Sequence, residues 1–165
     1  MERLILLRHG KAEPDSKSGD DFDRRLSPRG ARESAEMGAH LADMGFRPDL
    51  ALISPAARTR ETWEAMQESF PDAEVRACDE LYHAEADVIR RTAEQADGEA
   101  KTVMVVGHNP GLHELALTLL AEGDAPSGLI AKATRAFPPG AAAVFLIDHG
   151  GRPHYDGLFF PERQH

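Results

Sequence analysis

Cysteine is nearly absent from this 165-residue chain: Cys78 stands alone, so no disulfide can close within it and no multi-cysteine zinc site can be assembled. That usage suits a reducing compartment, and a cytoplasmic location is expected. Long apolar runs are missing too. No stretch approaches the ~18 apolar residues that a membrane-spanning helix needs, so no membrane partner is expected. The run Leu4 to Leu7 meets Arg8 and His9 too soon for a secretion signal, and export is not expected. Positive charge is in short supply, because 19 Lys and Arg against 28 Asp and Glu leave a net charge of -9. Such a chain repels polyphosphate backbones, and no nucleic-acid partner is expected. Repeats, low-complexity tracts and Ser/Gly-rich linkers are also lacking. What remains is 41% apolar and long enough to bury a core, which points to one domain over residues 1–165.

Leu4 to Leu7 is a short unbroken apolar run, the pattern of a strand buried on both faces. Ser27-Pro28 supplies a helix cap and a first-turn proline, and Ala31, Ala35, Gly38, Leu41 and Ala42 recur at helical spacing to Gly45. Leu50 to Ile53 reads as a second strand. Ser54-Pro55 repeats the cap signal ahead of a helix to about Ser69, and Glu74 to Ala77 reads as a short strand. A helix is expected over 84–96, a strand over Thr102 to Val106, and a helix from Gly111 to Ala121. Two late apolar runs, Gly128 to Phe137 and Ala142 to Ile147, suggest further strands. Alternating strands and helices imply an α/β fold, a three-layer α/β/α arrangement around a mostly parallel central sheet. Ligands of such sheets bind beyond the carboxyl ends of the strands, where Arg8, His9, Ser54 to Arg58 and His108 all fall.

Two histidines and two arginines gathered at strand ends suit a phosphoryl group. Guanidinium groups present planar, permanently charged donors that match phosphate oxygens, and a neutral imidazole can attack phosphorus. Other signals carry less. Gly107-x-Asn109-x-Gly111 has the spacing of a hydrolase nucleophile elbow but places Asn where Ser is required. His108 and His113 lie about 140° apart around a helix, so they do not form a metal-binding pair, and no metal or cofactor is expected. Met37, Met44, Trp63 and Met66 fit helix core, and the acidic loop Glu13, Asp15, Asp20, Asp21 and Asp23 reads as solvated surface. Arg60 and His83 stand near the candidate residues in sequence without an assigned role.

The ordered segments Leu7-Arg8-His9-Gly10-Lys11-Ala12, Leu26-Ser27-Pro28-Arg29-Gly30, Ser54-Pro55-Ala56-Ala57-Arg58 and Val106-Gly107-His108-Asn109-Pro110 resemble the motifs of the histidine phosphatase superfamily, spanning about residues 3–147. Within it, Arg-His-Gly-Lys-Ala and Gly-His-Asn-Pro are most similar to the small SixA-type phosphohistidine phosphatases. The resemblance implies a phosphoglycerate mutase-like fold and a phosphatase in which His9 is the nucleophile and becomes transiently phosphorylated. It further implies that Arg8 and Arg58 clamp the phosphoryl oxygens and that His108 donates a hydrogen bond or charge to the same group. Many relatives carry a general-acid Glu after the third strand, and Asp79-Glu80-Leu81 matches that region loosely, leaving Glu80 as either an acid or a solvated carboxylate. The implied partner is a phosphorylated protein carrying phosphohistidine, the alternatives being a small phosphorylated molecule or a non-catalytic phosphate-binding module.

Glu80 separates the substrate classes. An alkoxide leaving group needs a proton, whereas a phosphohistidine protonated on its distal nitrogen departs as neutral imidazole. Glu80→Gln is expected to change neither activity appreciably, measured as kcat/KM on an alkyl phosphate and on a phosphohistidine protein. A loss of about a hundredfold confined to the alkyl ester would identify Glu80 as the acid.

Overall fold

Two alternating sets of apolar side chains run along every central strand, and each set has its own helices to pack against. The computed structural model describes residues 1–162. In chain order the elements are β1 (Arg3–Arg8), α1 (Pro28–Asp43), β2 (Leu50–Ile53), α2 (Ala57–Met66), β3 (Glu74–Ala77), α3 (Ala86–Glu94), β4 (Thr102–Gly107), α4 (Gly111–Glu122), α5 (Ser127–Arg135), β5 (Ala142–Ile147) and β6 (Pro153–Phe159). The strands form a sheet in the order β3-β2-β4-β1-β5-β6. The first four in that order pair in parallel, and β5 and β6 add an antiparallel half.

Successive strand residues point to opposite faces. Leu4, Leu6, Leu50, Leu52, Val103, Val105, Ala143 and Phe145 pack on one face with Ile89 of α3, Leu112, Leu115 and Leu119 of α4, and Ala133 of α5. Ile5, Leu7, Ala51, Ile53, Met104, Val106, Ala142 and Val144 pack on the other with Met37 and Leu41 of α1 and Trp63 and Met66 of α2. The expected three layers are therefore present, around a mixed sheet.

The structure departs from expectation at four places. The run Gly128 to Phe137 holds a helix, α5, rather than a strand. Its apolar residues 129, 130, 133 and 137 recur at helical spacing, and Lys132 and Arg135 in the last turn complement the helix dipole. Strand β6 was not expected, because Pro153, Asp156 and Gly157 disfavour strands, yet an outer strand tolerates them. Helix α2 begins at Ala57 with Ala56 at its cap, because the Ser54 hydroxyl turns across the sheet instead of capping. A 3-10 turn, Gln67–Ser69, then ends that helical stretch. Met44, placed in the core from its spacing, is 49% exposed just past the end of α1.

Helix α1 starts as read: the Ser27 hydroxyl accepts from the Gly30 amide at 3.0 Å and donates to the Lys11 carbonyl at 2.8 Å. The helix thereby meets the loop that leaves β1, and two glycines permit the approach. A Cβ at Gly10 would lie 2.7 Å from the Ser34 hydroxyl, and one at Gly30 would run into the Lys11 carbonyl. Gly30→Ala is accordingly expected to destabilise the protein by roughly 1–3 kcal/mol, the cost of forcing a methyl into a packed contact, read as a lower urea midpoint.

Candidate active site

The parallel register places the ends of three strands side by side. Arg8 of β1 pairs with Gly107 of β4, and Ile53 of β2 pairs with Val106, so His9, His108 and Ser54 follow at one level of the sheet edge. The level is held by backbone bonds from the His9 amide to the Gly107 carbonyl, 3.2 Å, and from the Ser54 amide to the Val106 carbonyl, 3.1 Å. The two imidazole rings lie 5.3 Å apart. Arg58, in the first turn of α2, reaches between them: its Nε is 3.4 Å from His9 Nε2, and its Nη2 is 3.2 Å from His108 Nδ1.

These contacts set the tautomers. His9 Nδ1 lies 2.7 Å from the Gly10 carbonyl, which can only accept, so the proton sits on Nδ1 and Nε2 keeps its lone pair. The Gly10 amide in turn donates to Thr62 Oγ1 at 3.0 Å, tying this loop to α2. His108 accepts from Arg58 at Nδ1, so its own proton is on Nε2 and donates to Ser54 Oγ at 2.7 Å.

Both histidines are held neutral. His9 is lowered to about 3, first by burial and then by the positive charges of Arg58, Arg8 and Arg24, against the opposing Gly10 bond. His108 is lowered to about 2, again first by burial and then by His9 and Arg58. The Arg58 guanidinium is itself buried, 2% exposed, and a charge so placed requires a partner. Asp21 supplies it from a 3-10 turn, Asp21–Asp23, accepting from Arg58 at its carbonyl oxygen, 2.8 Å, and at its carboxylate, 3.0 Å. The same carboxylate accepts from Tyr82, 2.7 Å, His83, 2.8 Å, and Arg24, 2.9 Å. Burial opposes its ionisation, but the bonds from Tyr82, His83, Arg24 and Arg58 hold the carboxyl far below the usual carboxylate range.

Of the residues expected from sequence, the structure brings His9, Arg58 and His108 into direct contact and sets Arg8 close enough to bear on His9. The Arg8 Nη1 donates to the Phe137 carbonyl at 3.1 Å. Glu80 sits exposed on a 3-10 turn, Asp79–Leu81, and among the described residues no hydrogen bond joins it to this cluster. Arg60 donates to the Pro55 carbonyl and is exposed. Asp21, by contrast, is not mere surface, and Tyr82 and His83 belong to the cluster with it. No local pattern marks them, since the bonds that join Asp21 to Arg58, Tyr82 and His83 span 37 to 62 residues.

The fold and this cluster describe an α/β protein with a buried, neutral histidine pair against a guanidinium at the carboxyl edge of its sheet. The family model for the histidine phosphatase superfamily, branch 1, matches residues 4–88, and the chain belongs to that superfamily. An uncharacterised chloroplast protein of Arabidopsis thaliana is 32% identical, the match covering 97% of this chain and 78% of that protein. A solved structure from Agrobacterium tumefaciens named for the phosphohistidine phosphatase SixA is 34% identical with a TM-score of 0.82, covering 97% of this chain and 98% of the other. Another so named, from Nakamurella multipartitia, is 30% identical with a TM-score of 0.84, covering 97% and 96%. Family and neighbours support phosphatase activity. No helix among the described residues is long and apolar enough to cross a membrane.

The neutral histidines make stability depend on pH. Because His9 and His108 have folded values below the ordinary 6.5, the unfolded chain takes up protons first as pH falls. Stability is thus expected to be fully present above about 6.5 and to be lost as pH falls toward about 3, with Asp21 acting in the same direction at the acid end. Urea midpoints measured from pH 7 to 4 should fall for the wild type and fall less for the His9→Asn, His108→Asn double variant.

Proposed function

We propose that this chain is a single-domain cytoplasmic phosphatase that removes the phosphoryl group from phosphohistidine in a protein, passing it through His9. The observation that carries this reading is the bond from His9 Nδ1 to the Gly10 carbonyl, which leaves an unprotonated Nε2 facing the Arg58 guanidinium. In the first step Nε2 attacks phosphorus, the P–N bond to the substrate imidazole breaks, and its electron pair goes to the departing nitrogen. The leaving ring keeps the proton on its distal nitrogen and departs neutral. In the second step water attacks, the P–Nε2 bond breaks, and inorganic phosphate leaves with His9 restored.

Catalysis here is positioning and charge. Arg58, aligned by Asp21, and Arg8, braced by the Phe137 carbonyl, present donors to the equatorial oxygens. A bound dianion adds negative charge beside His108, favouring its protonated form and making it a further donor. Two features support a protein-borne substrate. Glu80 is not hydrogen-bonded to the cluster, which suits a leaving group that brings its own proton. Between β3 and β4 the chain holds only a 3-10 turn and the nine-residue α3, a segment too short for a separate cap domain.

The test is a substrate panel with a trapping arm. A phosphorylated histidine-containing protein should show higher kcat/KM than p-nitrophenyl phosphate or sugar phosphates, and labelled phosphate should be trapped on His9. His9→Ala should abolish both while keeping its melting temperature near the wild type's. Faster turnover of small esters would replace the substrate class with a small-molecule phosphomonoester, and label on another residue would overturn the mechanism.

A further inference from the structure

The second half of the reaction leaves a proton without a destination. When water attacks the phosphorylated His9, one of its protons must go to a base, and the groups described so far are poor ones. His9 and His108 are lowered to about 3 and about 2, the Asp21 carboxylate is held far below its usual range, and burial raises Tyr82. Glu80 is outside the cluster.

His83 borders this cluster. Its Nε2 lies 2.8 Å from Asp21 Oδ2, so the carboxylate holds a proton on Nε2 and leaves the lone pair on Nδ1. Its ring is 5.1 Å from that of His108, which is 5.3 Å from that of His9, so the three imidazoles form one continuous wall. The side chain is half exposed, open to water and to proton exchange with solvent. The backbone there is at φ +51°, the left-handed region that a non-glycine residue rarely occupies and that gathers at functional sites. The groups facing His83 are Asp21 on the first 3-10 turn, Tyr82 on its own turn, His108 at the end of β4, and, through Asp21, Arg58 of α2.

We propose that His83, oriented by Asp21, is the general base that takes a proton from the attacking water during hydrolysis of the phosphorylated His9. The new O–P bond forms as the P–Nε2 bond breaks, the electron pair returns to His9, the water proton passes to His83 Nδ1, and the imidazolium then releases it to solvent. This rests on the two-step reading above. It also accounts for Asp21, which aligns the guanidinium of the first step and the imidazole of the second.

The test uses His83→Gly, which suits a positive φ and leaves a cavity for a free imidazole, with p-nitrophenyl phosphate as probe because nitrophenolate departs without a proton. Steady-state turnover should fall about a hundredfold, preceded by a burst of nitrophenolate stoichiometric with active sites, while labelled phosphate accumulates on His9. Added imidazole should restore turnover. Turnover within about threefold of wild type, or a loss with neither burst nor rescue at an unchanged melting temperature, would overturn the proposal. If the wild type forms no phosphoenzyme on His9 with any donor, the two-step scheme itself fails, and the trapping arm shows that separately.

Discussion

Everything at this site depends on β1 lying beside β4 in parallel, with Arg8 opposite Gly107. Shifting that pairing by one residue would turn every side chain of β1 to the other face, exchanging Leu4 and Leu6 for Ile5 and Leu7 between two filled cores. Both faces are buried, so the register is held by packing on two sides at once. The histidines are adjacent because the cores leave them no other level. Chemistry and stability share one constraint, and the pair of rings inherits the precision of the sheet.

Placing two imidazoles and a guanidinium in this edge creates an electrostatic problem that the chain solves in two ways. The imidazoles give up their protons, as burial and neighbouring cations require. The guanidinium cannot, so it takes Asp21 as its counter-ion, at both the carbonyl and the carboxylate. The carboxylate in turn gathers Tyr82, His83 and Arg24, and what begins as compensation for one buried charge becomes a hub joining the loop after β1, helix α2 and the turn after β3. In the proposed reaction, such fixed guanidinium groups would leave little reorganisation to perform when charge develops beside them.

The placement of His9, Arg58 and His108 at one sheet edge is readable in the sequence: His9 and His108 directly follow strands, Arg58 stands in the first turn of the helix after β2, and the central strands are strongly apolar. Arg8 was readable for the same reason. Asp21 was not, because an acidic residue in a polar loop looks the same whether it faces water or a guanidinium 37 residues away. Ser54 reads as a helix cap, but its hydroxyl is turned to His108, a choice decided by the sheet rather than by the next residues. Helix α5 was hidden in an apolar run whose length suits either structure, and β6 was hidden by a proline and a glycine that only an outer position excuses.

The Phe137 carbonyl receives both the Arg8 guanidinium and the Asn109 amide, and the Gly140 amide donates to the carbonyls of Arg8 and His9. The turn between α5 and β5 is thus a brace across a gap of 129 residues. During synthesis, which proceeds from the amino terminus, His9, Arg58 and His108 all leave the ribosome before that brace exists. A partly made chain holds His9 without the strut that orients its neighbouring arginine. The proposed chemistry would therefore have Arg8 fixed only after the antiparallel half of the sheet is made, well after the strand ends that carry the two histidines.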